Sequence, residues 1–239
     1  MSENAVEYYL SQSIISNPDN YLELFNPLPN TVQEIVDIIH GLFLHVYWVD
    51  HYGVNLELDQ RNHVQSRYIK SILDLIIDMD SSNLISSRSY DKRFYGTCRD
   101  HALLLVSILR SKGISARCRC GYAKYLTPEK YEDHWIAEYW DKDKWIRVDP
   151  QLDELQIEKL GISFDPLNVP EDQFISGAKA WNLCREGIEN PNDFGIFDYR
   201  GILFIRGNLI RDLASLKSNL VKNKLNRVIY ILNLERWEL

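Results

Sequence analysis

From Ala102 to Leu109 the chain reads Ala-Leu-Leu-Leu-Val-Ser-Ile-Leu, apolar almost all round when wound as a helix. A helix without a polar face cannot lie at a surface, so the rest of the chain must pack around it. Its start is marked. Thr97 is a good N-cap residue, and Asp100 stands three positions on, where a capping-box partner belongs. Its end falls at Gly113, a good C-cap residue. Any fold for this sequence has to be built about a buried helix that begins near Cys98.

The flanking patterns set the class. Residues 4–15 place Val6, Tyr9, Leu10 and Ile14 on one helical face before Pro18. Thr31 and Glu34 make a second capping box, followed by the stripe Ile35, Ile38, Ile39, Leu42, Phe43 and Val46. A third helix is expected near 61–78, carrying Val64, Tyr68, Ile72, Leu75 and Ile76. After the buried helix come three strand-like runs, about 114–125, 133–140 and 144–149. A helix opened by Pro170 is expected to carry Phe174, Ala178, Trp181 and Cys184. A short strand, Ile202 to Ile205, then precedes a final helix capped by Asn208. Helices first and strands after give α+β, a helix packed on an antiparallel sheet with added N- and C-terminal helices. No repeat or composition break asks for a second domain. The expectation is one domain over 1–239: a helical part to 88, a core from 89 to 155, and an extension from 156.

Composition narrows the function classes. The 239 residues are 45% hydrophobic and 26% charged, with a net charge of -7. That balance disfavours nucleic acid and anionic membranes as partners, because both call for concentrated Lys and Arg. The start has no basic stretch leading into an apolar run, and no run approaches the roughly 20 residues that span a bilayer. Four cysteines in a chain of this size do not make a disulfide framework. The expected setting is the reducing cytoplasm, where a cysteine with a role is catalytic or metal-binding.

Cys98 is the cysteine best placed for chemistry. It sits in the first turn of the buried helix, where free N–H groups and the helix dipole favour negative charge. Helix N-termini favour thiolate, and the same N–H groups can stabilise an oxyanion beside the sulfur. The plainer reading is a buried cysteine serving as a small hydrophobe, so the assignment needs partners. The segment 132–150 supplies them. It reads as a β-hairpin with a polar tip at Asp141, Lys142 and Asp143. A two-residue loop at Asp141-Lys142 sets Glu138 against Trp145, Ile136 against Arg147 and His134 against Asp149. Opposed side chains share a face, about 4.5–5.5 Å apart at Cβ. A carboxylate there fixes the imidazole tautomer and supports the imidazolium. With Cys98 the three residues make a Cys-His-Asp constellation for nucleophilic catalysis.

Those residues carry a resemblance. Gly96-Thr97-Cys98 leads into a leucine-rich helix. Leu109-Arg110 continues through Gly113-Ile114-Ser115-Ala116-Arg117 to Gly121-Tyr122. His134-Trp135-Ile136-Ala137-Glu138-Tyr139 is followed by Trp145-Ile146-Arg147-Val148-Asp149-Pro150. Together these blocks resemble the transglutaminase-like superfamily of papain-like cysteine enzymes, most closely over about 90–153. The stretch from Phe194-Gly195-Ile196-Phe197-Asp198 to Arg206-Gly207-Asn208 is similar to a group of bacterial members. The resemblance implies a papain-like core and a triad of Cys98, His134 and Asp149. It also implies acyl transfer or hydrolysis at an amide or peptide bond through a thioester, on a peptide, protein or small amide, with no cofactor. The superfamily also holds members without activity, so an idle binding module is the alternative. Calcium-site segments of the animal enzymes have no match here. Members often use an upstream Trp or Gln as oxyanion donor. Gln60 is the first candidate, with Trp48, His63, Gln65 and Tyr95 behind it.

Remaining features have plainer readings. His101, one turn after Cys98, is expected to be a packed or hydrogen-bonded histidine rather than a second base. Cys118 and Cys120 alternate with Arg117 and Arg119, which puts both thiols on one strand face toward a core. A zinc site from Cys98, His101, Cys118 and His134 lacks the usual ligand spacing.

Overall fold

The computed structural model describes residues 6–57 and 60–217. In chain order its elements are α1 (Val32–Leu42), β1 (Phe43–His45), α2 (Ile69–Met79), β2 (Phe94–Gly96) and α3 (Cys98–Ser111). Then come β3 (Ala116–Ala123), β4 (Tyr131–Asp141), β5 (Lys144–Val148), α4 (Glu154–Leu160), β6 (Phe174–Ser176), α5 (Gly177–Arg185), β7 (Phe194–Ile196), β8 (Tyr199–Arg200) and α6 (Ile202–Leu216). The class is α+β, as the order of patterns requires.

Helix α3 is the axis of the molecule. Every residue from Asp100 to Arg110 is buried. Its apolar side chains pack against Ile35, Ile39 and Leu42 of α1, Ile72 and Ile76 of α2, and Ala116, Ala137 and Val148 of the sheet. Each fully buried Leu or Ile contributes about 1.5–3 kcal/mol relative to exposure. The buried polar groups on α3 are satisfied. Ser107 Oγ donates to Ser16 O at 2.7 Å, and Arg110 Nε donates to Ala116 O at 2.8 Å. At its start the Asp100 carboxylate accepts the Thr97 N–H at 2.8 Å and the Thr97 hydroxyl at 3.0 Å. At its end Gly113, at φ +76°, donates to Arg110 O, and Ile114 donates to Leu109 O. These two bonds form a Schellman motif, which needs the left-handed residue that glycine supplies cheaply.

Strands β3, β4 and β5 are antiparallel neighbours, with Ala116 opposite Tyr139 and Trp140 opposite Trp145. Strand β6 extends the sheet beyond β3, and β7 joins the start of β4 in parallel. Opposite His134 stands Gly121. A Cβ there would lie 2.2 Å from Ile175 O, so only glycine lets β6 close on the sheet at this point. Strands β1 and β2 form a separate parallel pair, with His45 beside Gly96.

Several expectations are corrected. The hairpin register is shifted by two residues: Asp141 pairs with Lys144, Glu138 faces Arg147, and the loop is Lys142-Asp143. Asp141 and Lys144 flank this loop, and the Trp140 and Trp145 rings meet across it, 5.3 Å apart. Of the segment expected to be helical, Val6 and Glu7 are helical, Tyr8–Leu10 is a 3-10 turn, and residues 4 and 5 lie outside the described residues. Ser13 and Ser16 then bond each other's backbone N–H, at 2.9 and 3.2 Å, which competes with helix. Helix α1 stops at Leu42, because Phe43–His45 pairs with β2. The 61–78 helix is broken into a 3-10 stretch at Gln60–Gln65 and α2, because His63 turns to accept the Tyr95 N–H and stack on Phe94. At the C-terminal side, Phe174 to Ser176 is strand, and Ile202 to Leu216 is one helix. Asn208 lies inside that helix, donating to Asp133 Oδ1 at 2.7 Å and to Gly121 O at 3.2 Å instead of capping.

Candidate active site

The sheet brings His134 and Asp149 together in spite of the shifted register. A shift of two residues keeps every side chain on its face, so the two become diagonal rather than direct neighbours. His134 Nε2 donates to Asp149 Oδ2 at 2.7 Å, with both side chains buried. Asp149 takes two further bonds that the sequence did not disclose. Tyr125 Oη donates to the same Oδ2 at 2.7 Å, and the Gln151 N–H donates to Oδ1 at 3.1 Å. Three donors therefore fix this carboxylate.

Cys98, half-buried at the first position of α3, faces the His134 ring. Burial alone would lower the His134 pKa, but the charges of Asp149 and Cys98 and their hydrogen bonding outweigh it and raise it to about 10. Asp149 is held below the usual carboxylate range. Burial opposes this, and His134, Tyr125 and the Gln151 N–H overcome it. Burial pushes Cys118 up to about 12, and Cys120 and Cys184 are raised as well.

Cys98 and His134 open onto a pocket of about 370 Å³ whose wall includes His45, Tyr47, Trp48 and Gln151. Tyr47 meets Phe197 edge to face at its wall, ring centroids 5.3 Å apart. Gln60 Oε1 accepts the Glu57 N–H at 2.9 Å, and the side chain is not among those lining the pocket. Trp48 does line it. Among the described residues no group of three or more His, Cys, Asp or Glu side chains is arranged to hold a metal ion, and no helix is long and apolar enough to cross a membrane.

His101 is a packed histidine whose Nδ1 donates to Thr97 O at 2.8 Å. Burial lowers its pKa to about 4 and drives His45 well below the ordinary value. The folded state refuses protons that the unfolded chain accepts below about pH 6.5. Stability therefore falls as pH drops from about 6.5 to 4, with His101 contributing up to about 3 kcal/mol of the loss. Urea unfolding at pH 7 and pH 5 measures this, and His101→Gln is expected to flatten the difference. Equal slopes for the two proteins would remove His101 from the account.

Residues 77–150 match the family model described as Transglutaminase-like superfamily, a span that contains Cys98, His134 and Asp149. Among solved structures, a candidate cysteine protease from Cytophaga hutchinsonii is similar at 20% identity and a TM-score of 0.41, over 74% of this chain and 46% of that one. This chain thus spans less than half the length of that structure. No curated protein matches the sequence. Over residues 77–150, then, the chain is similar to the transglutaminase-like superfamily.

Proposed function

We propose that the protein is a cysteine-dependent enzyme that cleaves or transfers acyl groups at amide or peptide bonds. Cys98 is the nucleophile, His134 the base and Asp149 the group that orients the imidazole. One observation carries this reading: a buried His134–Asp149 pair at 2.7 Å with Cys98, first residue of a capped helix, against the same ring. The Cys98 sulfur adds to the carbonyl carbon, His134 passes a proton to the leaving amine, and a thioester remains. Water or a second amine then takes the acyl group, giving hydrolysis or transfer.

Site-resolved iodoacetamide labelling tests the dyad. Cys98 is expected to label fastest of the four cysteines, since Cys118 and Cys120 are held as protonated thiols. His134→Ala is expected to slow Cys98 labelling near neutral pH by about tenfold or more. A labelling profile that His134→Ala leaves unchanged would favour an idle binding module on the same fold.

A further inference from the structure

We propose that His45 is the side-chain oxyanion donor of this site, giving a hydrogen bond from Nε2–H to the carbonyl oxygen as the Cys98 sulfur adds. The inference rests on the acyl-transfer reading above. It begins with the parallel pair β1–β2, which serves no evident purpose in the main sheet. That pair sets His45 directly beside Gly96, two residues before the nucleophile, and Val46 N–H to Gly96 O at 2.9 Å locks the match. The His45 ring lies 6.2 Å from the ring of His101, which stands one turn along α3 from Cys98. His45 and Cys98 line the same pocket.

The ring's protonation state follows from its neighbours. His45 is buried at 8% exposure. Burial and the nearby His101 and His134 disfavour a charge on it, and the opposing influence of Asp149 is weaker. A neutral imidazole carries one proton. The Tyr47 N–H points at Nδ1, 3.4 Å away, so Nδ1 is the acceptor and Nε2 bears the hydrogen. Among the described residues Nε2–H donates to nothing. A donor of this kind, held by the Tyr47 N–H before reaction and lining the same pocket as Cys98, is what a developing oxyanion needs. Gln60, the candidate read from sequence, is turned to the Glu57 backbone instead.

The step balances without a co-reactant. The sulfur lone pair forms the C–S bond, and the carbonyl π pair moves onto oxygen. Collapse restores C=O and expels the leaving group, which takes its proton from His134. His45 keeps its own proton throughout.

Two reagents separate this role from a structural one. p-Nitrophenyl acetate acylates a thiolate through a tetrahedral oxyanion, whereas iodoacetamide alkylates it by displacement with none. His45→Phe is expected to lower the acylation rate of Cys98 by about 10²–10³-fold and to change its alkylation rate by less than about threefold. His45→Gln, which retains an N–H donor, is expected to recover part of the acylation. Unchanged acylation in His45→Phe would overturn the assignment, as would equal losses in both reactions. A wild-type protein whose Cys98 alkylates but is never acylated would overturn the acyl-transfer reading itself.

Discussion

Asp149→Asn is expected to slow acylation of Cys98 by at least about 10²-fold, and up to the roughly 10⁴-fold lost when the carboxylate of a serine-protease triad becomes an amide. The fold should survive. Two donors, His134 Nε2–H and Tyr125 Oη–H, converge on Oδ2, and one, the Gln151 N–H, meets Oδ1. The amide can keep its oxygen on the first two and leave a single N–H facing an N–H. What disappears is the negative charge that, with Cys98, raises His134 to about 10. Burial then dominates, and His134 should titrate well below that value in proton NMR. The sign for stability follows. A raised folded pKa gives stabilisation that is complete below about pH 6.5 and is lost as pH rises through about 10. The wild type should therefore lose stability over that interval and Asp149→Asn should not. A loss of acylation under tenfold, or an unmoved His134 titration, would count against the triad.

Glu138→Ala is expected to be the most destabilising of the changes considered, by about 3–5 kcal/mol. Glu138 is buried on the sheet face opposite α3. It accepts from Arg117 Nε at 2.7 Å, Arg119 Nη1 at 3.2 Å and Arg147 Nε at 3.4 Å. Removing it leaves three crowded guanidiniums. Arg119 keeps its two-pronged pair with Asp212, at 2.8 and 2.9 Å, and Arg117 keeps the Trp145 ring. Arg147 is left with the exposed Glu171 at 3.7 Å. A drop in melting temperature of roughly 10 °C is expected for a chain of this length. Glu138→Gln, which keeps the shape and loses the charge, should fall between. Burial would raise the Glu138 pKa, but the arginines hold it below the ordinary value. Its stabilisation is accordingly present above about pH 4.5 and disappears as pH falls further. If calorimetry shows Glu138→Ala within about 1 kcal/mol of wild type, the cluster does not stabilise the fold.

Much of this was legible from local signals. The capped helix at Cys98, the glycine that ends it and the three antiparallel strands are fixed by residues adjacent in sequence. The pairing of His134 with Asp149 was legible for a subtler reason. The loop was placed one residue early at each end, but the resulting slip of two residues preserves side-chain facing. What sequence reading missed depends on contacts between distant segments. Phe43 to His45 continue a helical stripe, yet they are strand because Phe94 to Gly96 pair with them. Asn208 looks like a cap, and its amide is taken by Gly121 and Asp133. Tyr125 carries no local mark of its bond to Asp149, since nothing in a loop tyrosine's neighbours says where its hydroxyl ends.

The parallel pair β1–β2 also bears on the order of folding. The β4–β5 hairpin closes over a two-residue loop, so it can form early and independently. Residues 43–45 must instead find residues 94–96 across the whole of α2 and its flanking turns. The entropy of closing so long a loop is met only once the intervening core has formed. The part of the pocket wall that His45, Tyr47 and Trp48 supply should assemble late. In refolding from urea, hairpin and helix signals should return first, and the native rate of Cys98 acylation should follow in a slower, separate phase.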